Sequence, residues 1–142
     1  MFDTLYSQVG TAITVLVVAF AFLKGDEPER IGAAAVVLVF LAGIVIPEST
    51  GFIVPQWGLM GLDVLLLAVL IGLAWHTRRS WLTWASAFQS LIVTSHFLVV
   101  ADLRPDGDAF SAVNNLSNYG LLVAMAVGTF WAWQERRAAG LE

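Results

Sequence analysis

The chain has 142 residues, of which 58% are hydrophobic and only 13% charged, and this is the balance of an integral membrane protein rather than a water-soluble domain. A formal charge of −4 with seven Lys and Arg offers no basic patch to neutralise phosphates, so no nucleic-acid partner is expected. The absence of cysteine excludes disulfides, thiolate metal sites, iron–sulfur clusters and cysteine nucleophiles.

About 20 apolar residues cross the hydrocarbon, and five runs reach about that length. The first covers residues 5–23. Its "AFA" at 19–21 resembles a signal-peptidase site, but the preceding flank carries Asp3 and no Lys or Arg, so it is read as a retained span. The acidic turn "GDEPER" follows and is expected to be a solvated cap. Asp26 caps the second run, 28–46, with Pro28 in its first turn and Pro47 beyond its end. "PESTGFIVPQ" is expected along the outer interface, either as a docking or lid segment or as a plain apolar loop. The third run, 57–75, reads "WGLMGLDVLLLAVLIGLAW" and is apolar except for Asp63. Gly61, Ala68 and Gly72 form a weak small-residue stripe opposite that carboxylate.

Only "HTRRS" separates the third run from the fourth, 81–100, which reads "WLTWASAFQSLIVTSHFLVV". At about 100° per residue, Thr83, Ser86, Gln89, Ser90, Thr94 and His96 share an arc of roughly 160°. Polar groups at membrane depth need partners, so this arc is expected to face the bundle interior. The connection 101–115 contains the turn "RPDG", and Asp108 caps a fifth helix that starts in the polar "DAFSAVNN" before entering the membrane at 116–133. Gly120, Ala124, Gly128 and Ala132 place a small residue at every fourth position, a helix-packing seam against a helix of the same chain or a second copy.

Five spans alternate the connections between two sides. Lys24, Arg30, Arg78, Arg79, Arg136 and Arg137 fall on one side and Arg104 alone on the other. The positive-inside rule then puts the N-terminus outside and the C-terminus inside. Trp75, Trp81, Trp84, Trp131 and Trp133 are expected at the cytoplasmic interface, with Trp57, Tyr6 and Tyr119 toward the outer one. The arginine pairs of "TRRS" and "QERRAAGLE" are expected to anchor helix ends in the headgroups, with contact to anionic lipid.

Asp63 lies six residues into the third span and His96 six residues before Asp102, so each sits about 9 Å below the outer end. The two are level on antiparallel neighbours, and a contact between them is expected. Gln89, Asn118 and Tyr119 complete a polar centre, with Asn115, Gln8 and Thr11 at similar depth. This centre either pins helix order or forms a protonatable site opening outward. His76 and His96 stand about 20 Å apart along the axis, so they cannot flank one haem within a chain, which leaves only ligation by His96 of two chains. No metal, cofactor or catalytic residue is expected, and neither Gly-x-Ser-x-Gly nor His-Glu-x-x-His spacing occurs.

Trp81, Trp84, Ala85, Phe88, Gln89, Ser95 and His96 give the fourth run a pattern that resembles short integral membrane proteins of alphaproteobacterial type. That resemblance implies a multi-helix bacterial membrane protein and brings no activity or cofactor with it. The expected fold is an all-α polytopic bundle, one transmembrane domain over 1–142 with five helices, N-out and C-in. A non-enzymatic accessory, interaction or sensing module of the bacterial inner membrane is expected, working with the lipid bilayer and either a membrane-protein partner or further copies of itself. A homo-oligomeric proton-linked transporter or channel is the alternative.

Overall fold

The computed structural model describes residues 5–46, 56–103 and 107–141, and among them all regular structure is helical. The helices are α1 (Leu5–Lys24), α2 (Glu27–Val45), α3 (Trp57–Thr77), α4 (Ser80–Val100) and α5 (Gly107–Ala138). The expectations for segment 47–55, for Asp3 and Arg104 and for the Tyr6 side chain fall outside what is described.

The helix ends follow local chemistry. Asp26 is the N-cap of α2, and its backbone N–H donates to Glu29 Oε2 at 2.9 Å, the returning half of a capping box. Arg78 closes α3 in the left-handed region (φ 55°), with its N–H on Ala74 O. α5 extends far ahead of its apolar stretch. Phe110 and Ser117 are buried and Asn114 accepts from Ser95 of α4 at 2.9 Å, so helical phase keeps the polar first turns of α5 against α4.

Successive helices run antiparallel and form a ring in which each packs on the next, α5 returns to α1, and α2 also touches α5. The core inside this ring is built around Ala21, Ala33, Leu70, Leu82, Leu121 and Met125. The outward surface is apolar as well: Leu16, Leu38, Leu65, Ile71, Leu91 and Val123 are all exposed. Three helices, α2, α3 and α4, are long and apolar enough to cross a membrane. An apolar exterior over a small-residue interior suits lipid, where packing rather than water exclusion holds helices together.

The small-residue stripe of α5 lies against α4. A side chain at Gly120 would meet the Phe88 ring at 2.5 Å, and one at Gly128 would overlap Trp81. Trp81 therefore turns inward and is 4% exposed, because the missing side chain of Gly128 makes room for its ring. Trp75, Trp84 and Trp131 remain exposed. The polar arc of α4 also turns differently: Gln89 is buried, Thr83 and Thr94 face outward, and Ile92 and Ser95 take interior positions. Hydroxyls need no interhelical partner, since Ser90 Oγ donates to Ala87 O and Thr94 Oγ1 to Ser90 O, each at 2.7 Å. Gly61, Ala68 and Gly72 of α3 are exposed, and nothing stands near a side chain added at Gly61 or Gly72.

Gly128→Ala is expected to destabilise the fold by about 1–3 kcal/mol through overpacking against Trp81. Gly61→Ala is expected to leave stability unchanged or raise it by up to about 1 kcal/mol through helix propensity. Thermal unfolding of the two purified variants in the same detergent checks the contrast.

Candidate functional site

Polar side chains gather at two levels. One level lies where α2, α3 and α4 supply residues around Asp63, near the start of α3 and the end of α4. Asp63 sits on a turn of α3 that faces α4, and two side chains of α4 address it through three contacts. Gln89 Nε2 donates to Asp63 Oδ1 at 2.9 Å and to the Asp63 carbonyl at 3.2 Å. His96 Nε2 lies 3.0 Å from Asp63 Oδ2, with the ring N–H as donor. Gln89 and His96 are seven positions apart, two helical turns, so both reach the same carboxylate from one face of α4. The Asp63 and His96 side chains are 15% and 18% exposed, sheltered but not sealed.

The carboxylate opens onto a cavity of about 530 Å³ lined by all five helices. Its polar lining is Thr11 and Thr14 of α1, Asp63, Gln89, and Asn115, Asn118 and Tyr119 of α5. Val36, Val39, Phe40 and Leu66 supply an apolar wall. This volume falls within the range of small-molecule sites. Asn118 is exposed and its Nδ2 donates along its own helix to Asn114 O at 3.0 Å, while Tyr119 is half-buried on the cavity wall. Asp63, Gln89, Asn118 and Tyr119 thus share one cavity, and His96 approaches Asp63 from α4. His76 is exposed at the other end of α3, and among the described residues no three His, Asp or Glu side chains are grouped to hold a metal ion.

The second level, at the opposite end, corrects the expectation of a solvated acidic turn. Glu29 is fully buried, and its Oε1 accepts from Trp81 Nε1 at 2.7 Å while Oε2 takes the Asp26 N–H. Asp26 is ion-paired to Arg79 at 2.9 Å and to Arg136. Arg79 also reaches Glu135 at 3.2 Å, and Arg136 Nη2 donates to the Lys24 carbonyl at 2.6 Å. Arg79 and Arg136 thus tie helix ends together through Asp26. Arg78 and Arg137 stay exposed, and Arg137 and Lys24 flank the Trp133 ring at 5.4 and 5.3 Å. These surface pairs are partly solvated and each contributes about 1 kcal/mol or less. Asp26 as the cap of α2 follows from the sequence, but the burial of Glu29 depends on Trp81, 52 positions away.

Comparison with known proteins finds no matching family model, no matching curated protein and no matching solved structure. The reading of the site therefore stands on its geometry.

Trp81→Phe is expected to cost about 1–3 kcal/mol, because Glu29 keeps its burial and loses a donor. Adding Glu29→Gln in that background is expected to recover part of the loss. Denaturation midpoints of the single and double variants give the coupling.

Proposed function

We propose that the chain is a small five-span module of a bacterial inner membrane, N-out and C-in, that senses or binds a small ligand and passes the result to a membrane partner. The carrying observation is the Asp63 carboxylate, held by Gln89 and His96 on the wall of a cavity shared by all five helices. A carboxylate used only to fasten α3 to α4 has no need of such a space. Non-enzymatic action is the simpler reading, since among the described residues no side chain lining the cavity is arranged as a nucleophile beside a base.

Five spans are favoured over three by length and charge. α1 has 20 residues, about 30 Å of helix, which matches the hydrocarbon thickness. α5 carries an apolar stretch within 32 residues. The division of basic residues, six to one, is strongest with five crossings. It puts the cavity toward the outer face and the arginine cluster toward the cytoplasm. The likeness of α4 to short alphaproteobacterial membrane proteins agrees with a bacterial inner membrane.

Proton-linked transport is the second reading, favoured by one observation: a second carboxylate, Glu29, is buried at the opposite end of the bundle. Leu66, Leu70, Leu82 and Met125 fill the space between the two levels, and an apolar plug of this kind opposes a continuous path.

The cysteine-free sequence permits single-cysteine mapping. A membrane-impermeant thiol reagent is expected to label Leu103→Cys in intact cells, but Arg78→Cys and Ala139→Cys only after permeabilisation; the reverse pattern overturns the orientation. Proteoliposomes holding this chain alone are expected to show the proton leak of empty vesicles, and sustained flux there replaces sensing by transport. Asp63→Asn and His96→Ala are expected to insert at wild-type levels and to alter co-purification of the membrane partner. Loss of both variants from the membrane assigns the pair to structure.

A further inference from the structure

We propose that the cavity takes an organic ammonium ion with Asp63 as its counter-charge, an inference that rests on reading the cavity as a ligand site. Among the described residues lining it, Asp63 is the only carboxylate and none is Lys, Arg or His. The fixed charge facing the space is therefore negative, and in a partly desolvated site it weighs far more than it would in water. An anionic ligand would meet that charge with no compensating cation on the walls.

Gln89 and His96 each occupy one oxygen of the carboxylate, and each oxygen keeps a further acceptor position. His96 suits this role because a ring N–H at Nε2 reaches Oδ2 from the α4 side and leaves the cavity side of the carboxylate to the ligand.

The remaining wall selects an organic cation over a bare metal ion. A metal ion asks for a compact shell of about six oxygens, usually with several carboxylates, and the described residues group no three His, Asp or Glu side chains. A space of about 530 Å³ is too open to supply one. Val36, Val39 and Leu66 match a hydrocarbon body, and the Phe40 and Tyr119 rings can receive a cation on their faces. The amides of Asn115 and Asn118 add oxygen acceptors for the N–H groups of a primary amine.

Three probes of one shape separate charge from fit: cyclohexylammonium, cyclohexanol and cyclohexanecarboxylate, titrated calorimetrically into the full chain in mild detergent. Cyclohexylammonium is expected to bind saturably, at least tenfold more tightly than cyclohexanol, with no heat from the carboxylate. Asp63→Asn is expected to reduce that preference to less than threefold, and Val39→Phe, which fills the cavity, to weaken both binding probes. Equal affinity for cyclohexylammonium and cyclohexanol, or unchanged preference in Asp63→Asn, overturns the cation while leaving the cavity a ligand site. Ammonium binding that ignores Val39→Phe also overturns it, by moving the event elsewhere. If none of the three binds, the ligand-site reading falls with the proposal. Should Asp63→Asn fail to fold, the ranking of the three probes on the unaltered chain decides alone.

Discussion

The hydrogen bond from the Trp81 indole to the buried carboxylate of Glu29 is the contact on which the packing depends. It joins α4 to α2 in the interior, and the ring that carries it fills the space left open by Gly128 of α5 and touches the position of Gly32. One side chain thus sets the spacing of three helices. A carboxylate removed from water is tolerated only when its lone pairs are answered, and Glu29 is answered twice, by the indole and by the Asp26 backbone N–H. The same turn directs Asp26 outward to Arg79 and Arg136, so the inner hydrogen bond and the outer ion pairs reinforce one geometry. Register between α2, α4 and α5 is fixed at this end, and the cavity level inherits it.

The two polar levels differ in purpose as well as position. Around Glu29 the carboxylate itself is fully buried, held by the Trp81 indole and the Asp26 backbone N–H, with the ion pairs of Asp26 outside it. Around Asp63 the carboxylate is equally well supplied with donors, yet it borders open volume. A carboxylate fully buried between helices at one end, and one bordering a cavity at the other, is the arrangement of a site held by a rigid support. Helices provide that support more accurately than loops do, because their side chains are locked by neighbours over several turns.

Much of this was legible in the sequence, and the reasons for success and failure are physical. Helix positions followed from hydropathy and capping, and the level of Asp63 with His96 followed from counting residues along two antiparallel helices, so the geometry of that pair was accessible from spacing alone. Helical phase did less well for α4, since it treats Thr94 and Gln89 as equally polar. A threonine can satisfy itself on its own backbone, whereas a glutamine must find another helix. Trp81 was assigned to the interface by residue type, and only the Gly128 position opposite explains why it went inside. Glu29 reads as solvated in the sequence because its neighbours there are charged. Its true environment is built by residues far along the chain, and no local pattern contains that information.

The apolar exterior has a thermodynamic consequence. Unfolding that leaves the helices in lipid exposes little hydrocarbon to water, and hydration of hydrocarbon is what gives soluble proteins their large heat-capacity increment. Helix separation in this bundle should therefore proceed with a small change in heat capacity. Its stability would then vary nearly linearly with temperature, without the strong curvature that brings cold denaturation to water-soluble folds.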